Sequence, residues 1–169
     1  GLSMGRSLGG FAILAIVNMV FNLVAMRFID TAGRKKILSI GAWGSMISLI
    51  MIGGLYLLDE TGLFIVLFFI TFIAFFAFSL GPVKFVLLGE IFPNQIRGKA
   101  ISVGTLCIWV TSAAVAQLFP MMRDIMPTGY IFFIFALDIA VLLLVVHFLM
   151  PETKGQTIEE IERSWLADI

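Results

Sequence analysis

Residues 63–89 read LFIVLFFITFIAFFAFSLGPVKFVLLG, and the only charged side chain in this stretch is that of Lys84. An α-helix needs roughly 20 apolar residues to cross a hydrocarbon layer about 30 Å thick, and this run is longer than that. The strands of membrane barrels alternate between polar and apolar residues, whereas this run is continuously apolar. Backbone polar groups in lipid must be satisfied within their own segment, so the stretch predicts a transmembrane helix.

The same apolar character extends over the whole chain of 169 residues. Apolar residues make up 60% of it and charged residues 13%, and the mean hydropathy is +1.09. Soluble domains contain about 45–50% apolar and about 25% charged residues. Lys and Arg together number 11, as do Asp and Glu, so no net charge directs the chain to nucleic acid. The composition excludes an ordinary soluble fold and a nucleic-acid-binding protein, and it predicts a lipid bilayer as the partner.

Four further apolar runs have comparable length, so we predict an all-α, multi-pass membrane protein. The breaks between the runs contain the Gly, Pro, Asp and Asn residues that favour turns. Residues 1–150 would form a helical bundle, and residues 151–169 a polar tail in which Thr157–Glu160 has the pattern of a capping box that begins a short amphipathic helix. The five predicted spans are 8–28, 37–58, 63–89, 100–122 and 129–150.

Two features predict how these helices are shaped and packed. Pro82 follows Gly81 inside the third span, where a proline removes a helical hydrogen bond and clashes with the preceding turn. We therefore expect a bend or break, which lines a cavity in many transporters; a kink that only helps packing is the alternative. Small residues in the second span predict close contact with another helix, namely Gly41, Ser45, Ser48, Gly53 and Gly54.

Basic residues are distributed unequally between the two ends of the spans. One side holds only Arg6 and Arg123. Loops rich in Lys and Arg face the cytoplasm, so we expect a cytoplasmic C-terminus. An odd number of spans fits a piece of a longer polypeptide. The basic residues of the predicted cytoplasmic side are Arg27, Arg34, Lys35, Lys36, Arg97, Lys99, Lys154 and Arg163.

Polar residues within the spans are candidates for function, because such groups are costly in a membrane. Asp138 lies near the middle of the fifth span and is a candidate proton-sensitive site. Lys84 lies about two helical turns from it in depth, and its long stem could instead extend to the interface. Asn18 and Asn22 share a helix face, and Trp109 lies midway along the fourth span. Amides bind adjacent hydroxyls and aromatic rings pack on sugar C–H groups, although helix packing explains these residues equally well.

Motifs for enzyme chemistry are absent from the sequence. It contains neither the G-x-G-x-x-G pattern of dinucleotide-binding proteins nor the G-x-S-x-G turn of hydrolases. The single cysteine, Cys107, and the single histidine, His147, offer no metal-binding spacing. We therefore expect no cofactor, no bound metal and no enzymatic activity.

Three motifs fall at the predicted cytoplasmic ends of the helices. They are DTAGRK at 30–35, GPVKFVLLGEIFP at 81–93 followed by RGKA at 97–100, and PETKG at 151–155. In this order and placement they resemble the sugar porters of the major facilitator superfamily, which include glucose transporters and bacterial proton-coupled xylose and arabinose symporters. The resemblance covers essentially the whole chain and implies helices eight to twelve of twelve, which form most of the C-terminal six-helix bundle. The first seven helices would be missing.

The resemblance also implies roles for individual residues. Phe85 falls where many sugar porters have a Trp beneath the sugar, and Ile108 stands where they usually have Asn or Gln. Charged loop residues match a network that acts as a conformational latch, although charges that only set the topology would look the same; these are Arg34, Glu90 and Arg97. The implied substrate-binding residues are Asn18, Phe76, Gly81, Phe85 and Trp109.

The expected function is therefore transport of a sugar by alternating access, with or without proton coupling, in a bacterial inner membrane. The expected partners are the sugar, the bilayer and the missing helices. Two alternatives stay open. A porter for a polyol, an acid or a drug is favoured by Ile108 and Lys84, and a membrane subunit without transport activity is favoured by the missing helices.

Overall fold

The computed structural model describes residues 4–60, 62–90, 92, 95–148 and 150, without the side chains of residues 4–8, 30 and 31. All regular structure in this part of the chain is helical, which confirms the predicted fold class. In this part of the chain, five helical rods are long and apolar enough to cross a membrane, and the third of these rods, Leu63–Glu90, combines α3, the π-helical turn and α4. The elements are α1 (Met4–Ala32), α2 (Arg34–Leu57), α3 (Leu63–Phe75), a π-helical turn (Phe76–Leu80), α4 (Gly81–Glu90), α5 (Arg97–Ile125) and α6 (Thr128–Phe148).

The helices do not end where the apolar runs end. α1 begins at Met4 and α5 continues to Ile125, because helical hydrogen bonds extend through polar residues as readily as through apolar ones. Gly33 alone separates α1 from α2, with φ 94° and ψ 140°. A residue with a side chain rarely adopts this positive φ, so glycine permits the abrupt reversal. The predicted tail of residues 151–169, with its capping box, lies outside the described residues.

The third rod contains the irregularity expected near Gly81-Pro82, but it does not break. The chain remains helical from Leu63 to Glu90 and widens into the π turn directly before Gly81. Pro82 has no N–H to donate, and its ring would crowd the carbonyl group one turn earlier. A wider turn provides space for that carbonyl and leaves backbone groups without regular partners, which is typical of functional sites in helices.

Helix α2 is the centre of the bundle and packs against α6, α3 and the π turn. Its small residues make these contacts close, as predicted. A Cβ atom added at Gly41 would collide with the side chain of Ser79 in the π turn, and one added at Gly53 would lie 2.9 Å from the carbonyl oxygen of Gly129 on α6. Gly54 instead faces open space, with nothing within 4 Å of an added Cβ.

The other helices are buried to different extents. α5 has no buried residue, and only 11% of the most apolar window of α1 is buried. Large apolar side chains point outward over the described surface, among them Phe11, Trp43 and Leu144. Apolar faces of this extent mark surfaces that contact lipid or further protein.

Candidate functional site

Two amide side chains of α1 are linked in the middle of the bundle. Asn22 Nδ2 donates hydrogen bonds to the carbonyl oxygen of Asn18 at 2.9 Å and to Asn18 Oδ1 at 3.0 Å. Both residues are half-buried. Amides carry both donors and acceptors, so the pair retains capacity to bind hydroxyl groups.

The amide pair lies against the start of α4. A Cβ atom added at Gly81 would lie 3.4 Å from Asn22 Oδ1 and 3.5 Å from the carbonyl oxygen of Phe76. Both distances are ordinary van der Waals contacts, so the amide of Asn22 lies beside the backbone where the π turn meets α4. Of the predicted substrate-binding residues, the structure brings Asn18, Phe76 and Gly81 into one neighbourhood, connected through Asn22.

Phe85 follows Gly81 by one helical turn, and its side chain is 47% exposed. The ammonium group of Lys84 lies 5.2 Å from the centre of its ring and 5.7 Å from the centre of the Phe76 ring. Phe76 is located two turns nearer the middle of the rod than Lys84. The lysine stem therefore points back into the bundle. The alternative expectation from the sequence, that the stem extends to the nearer helix end, does not describe this structure.

Trp109 is placed apart from this group. Its side chain is 66% exposed, and α5 packs on α4 and α6 rather than on α1. The neighbouring Ile108 instead faces a cavity in the bundle. Within the described residues, the structure thus does not bring Trp109 to the amide pair.

A cavity of about 750 Å³ lies between α2, the third rod, α5 and α6. Its volume falls within the range of about 300–1,000 Å³ that is usual for small-molecule sites. Phenylalanine rings from two helices form much of the wall, and Lys84 and Asp138 both line it. The backbone positions of Lys84 and Asp138 were expected to differ in depth by about two helical turns, and the direction of the lysine stem brings both side chains to one cavity.

The aromatic wall that α6 contributes to the cavity was not predicted from the sequence. Phe132 and Phe135 line the cavity, and Phe132 also stacks on Tyr56 with ring centres 5.4 Å apart. Apart from Asp138, the middle of α6 is apolar on all sides, so hydrophobic periodicity could not show which face was turned inward.

The charged loop residues meet at one end of the bundle. Arg34 Nη2, at the start of α2, lies 2.8 Å from Glu90 Oε1, at the end of α4, and the two side chains are 14% and 28% exposed. Arg97 has a different contact, since its Nε donates to the carbonyl oxygen of Phe92 at 3.3 Å. The buried Arg97 Nη2 has no hydrogen-bond partner in the described part of the chain. The structure therefore joins two of the three predicted latch residues directly.

Long apolar helices with polar groups at mid-length, an internal cavity and a charge pair at one end are the features of a multi-pass membrane protein. The family described as "Sugar (and other) transporter" matches residues 2–165, and the chain belongs to it.

Relatives and solved structures agree with this assignment. The arabinose-proton symporter of Bacillus subtilis is 36% identical over 155 residues, which cover 91% of this chain and 33% of that protein. The D-xylose-proton symporter of Escherichia coli K12 is 35% identical over 159 residues, covering 90% and 32%. The inward-open xylose transporter XylE from E. coli superposes with a TM-score of 0.88 at 35% identity, covering 95% of this chain and 36% of that one. The chain thus spans about a third of the length of these proteins.

Proposed function

We propose that this chain is the C-terminal part of a secondary transporter that moves a neutral sugar across a membrane together with a proton. The observation that carries the proposal is the amide pair of Asn18 and Asn22 against Gly81, at the joint between the π turn and α4. It supplies hydrogen-bonding groups at mid-length in an otherwise apolar bundle. Similar proteins are named as proton symporters of arabinose and xylose, which supports a sugar as the ligand.

The mechanism is alternating access. Substrate binds near the middle of the membrane between two helical bundles, which rock about it and open to one side at a time. No bond in the sugar changes, so binding energy serves only to select between the two states. This chain supplies one wall of the path, and the helices that precede it in the longer transporter supply the other.

The Arg34–Glu90 pair acts as a latch in this cycle. A carboxylate–guanidinium bond is short, directional and strong, and here it ties the start of α2 to the end of α4. Arg97 lies close in sequence to Glu90, and its Nη2 has no hydrogen-bond partner in the described part of the chain. This nitrogen completes the network when the other helical bundle packs against the same end. Separation of these charges accompanies opening of the cavity toward that side.

The end of the bundle that contains the Arg34–Glu90 pair lies on the cytoplasmic side of a bacterial inner membrane. The excess of Lys and Arg at that end supports this orientation. The C-terminus then lies inside as well.

Binding of ligands to the full-length transporter in detergent tests the proposal. Calorimetric titration with D-xylose, L-arabinose and D-glucose should show saturable binding of at least one of them. Gluconate and shikimate serve as matched acidic competitors and should not displace the sugar. Displacement by the acids, together with no heat from any sugar, would instead indicate a porter for acids.

A further inference from the structure

The ammonium group of Lys84 connects two faces of the third rod. Its Nζ lies 5.2 Å from the centre of the Phe85 ring and 5.7 Å from the centre of the Phe76 ring, within the range of about 6 Å for a cation–aromatic contact. Phe76 lines the apolar cavity inside the bundle, as Lys84 does, whereas Phe85 is not among the lining residues. The ammonium therefore lies between the cavity and the face of the rod that carries Phe85.

The face that carries Phe85 is also the face that meets the amide pair of α1. Gly81 lies beside Asn22, and residues four positions apart share a helix face, so Phe85 projects on the same side one turn further along α4. Its side chain is 47% exposed and offers an apolar surface next to the hydrogen-bonding amides. The C–H groups of a sugar pack on a ring of this kind. Phe85 is therefore placed to contact a sugar that the amides bind.

Lys84 joins this ring to the aromatic residues of the same rod. Among the described residues, Phe85 makes no contact with another aromatic ring, while the ring centre of Phe76 lies 6.0 Å from that of Phe72. Lys84 reaches Phe76 across the π turn and Pro82, where the helix has irregular hydrogen bonding. The contacts from Phe72 to Phe85 thus span the irregular part of the rod.

The charge of Lys84 is what makes these contacts attractive. In the described part of the chain, its ammonium forms no hydrogen bond and no ion pair, so the two rings are the partners that the structure gives it. Cation–aromatic attraction is electrostatic and gains strength where water is scarce. A neutral side chain of similar length would lose the attraction, whereas an arginine would keep it.

We propose that Lys84 is a positioning residue for sugar binding, an inference that rests on the sugar-transport function proposed above. Its ammonium holds the ring of Phe85 beside the amide pair and does not itself contact the sugar. A ring that is ordered before the sugar arrives loses less conformational entropy on binding. Lys84 thus contributes to affinity through Phe85.

Calorimetric titration of the full-length transporter with D-xylose and L-arabinose tests this role by comparing the wild type with K84M, K84R, F85L and K84M/F85L. K84M keeps the length of the side chain without its charge and should weaken sugar binding about fivefold. K84R keeps the cation and should bind sugar about as tightly as the wild type. In the F85L background no ring is left to position, so K84M should cause no further loss of affinity.

Matched controls accompany these variants. K99M removes an exposed cation in the first turn of α5 and should bind sugar as the wild type does. The melting temperature of each variant in detergent shows whether it is folded. K84Q, which is also neutral, replaces K84M in the comparison if K84M does not fold.

Three results would overturn the inference and leave the proposed function intact. These are wild-type affinity in K84M, a loss of affinity in K84R equal to that in K84M, and a further loss when K84M is added to F85L. The last of these would mean that the lysine contacts the sugar directly. If the wild-type transporter binds neither sugar, the proposed function itself fails, and this inference fails with it.

Discussion

At the scale of single residues, the contact between Arg34 and Glu90 is the observation on which the proposed latch depends. The pair joins residues 56 positions apart in the chain at a distance of 2.8 Å. Both side chains are mostly covered, so the bond is screened less than an exposed ion pair would be. A bond of this strength stabilises the conformation in which it forms without touching the sugar.

We therefore predict that Glu90→Gln slows transport much more than it weakens sugar binding. Glutamine keeps the size of the side chain but loses the charge, so the latch no longer favours one state. In proteoliposomes the maximal uptake rate should fall about tenfold, which corresponds to about 1.4 kcal/mol, while the dissociation constant measured in detergent changes less than threefold. Glu60→Gln, at the exposed loop after α2, is the control. Equal losses of rate and affinity would show a role in folding instead.

The amide pair leads to a second prediction at this scale. Asn22→Ala removes the donor that holds Asn18 and the oxygen that faces Gly81. A hydrogen bond contributes about 0.5–1.5 kcal/mol net, so loss of these contacts should weaken sugar binding roughly tenfold. Thr71→Val, which removes a hydroxyl bonded only to its own helix, should leave the affinity unchanged. An unaltered dissociation constant in Asn22→Ala would assign the pair to helix packing alone.

At the scale of helices, glycine positions decide how closely the rods approach. Gly53 on α2 and Gly129 on α6 place their backbones in contact, since an added Cβ at either residue would lie within 3 Å of the other's carbonyl oxygen. Gly41 performs the same role against the π turn. The small-residue pattern on α2 was visible in the sequence, but the helices that it contacts were not.

Adjacent glycines allow a matched test of this packing. Gly53→Leu should lower the melting temperature of the full-length transporter in detergent by several degrees, because overpacking costs about 1–3 kcal/mol. Gly54 faces open space, so Gly54→Leu should change the melting temperature little. A fluorescence-detected melting curve for each variant measures the difference. Equal melting temperatures would contradict the close crossing of α2 and α6.

The limits of prediction from sequence are also clearest at this scale. Continuous apolar runs were sufficient to predict an all-helical membrane fold, because lipid leaves few alternatives to a helix. The same uniformity hid the inward face of α6, with Phe132 and Phe135. Pro82 predicted an irregularity in the third span, but the sequence did not show that it takes the form of a π turn in a continuous helix, packed against α1 and α2. The common cavity of Lys84 and Asp138 likewise depended on a side-chain direction that spacing does not give.

At the scale of the whole molecule, the uncovered faces of α1 and α5 are the main feature. Both helices present apolar residues outward while α2 is half buried. The chain spans about a third of the length of its relatives, and under the proposed function these faces contact lipid or the rest of the transporter.

This arrangement predicts that the chain alone does not transport. Liposomes containing only residues 1–169 should show no saturable uptake of radiolabelled D-xylose or L-arabinose, because the opposite wall of the path is missing. Liposomes without protein provide the baseline. Saturable uptake above that baseline would mean that this chain forms a complete pathway, for instance by association of two copies.

The most direct test of the account is uptake by the full-length transporter in proteoliposomes with an imposed proton gradient. An inwardly directed gradient should drive accumulation of labelled D-xylose or L-arabinose above the external concentration, and a protonophore should abolish that accumulation. Equilibration of the sugar to the same internal concentration with and without the proton gradient would contradict proton coupling. No uptake of any sugar, from protein shown to be folded by its melting curve, would contradict the proposed function as a whole.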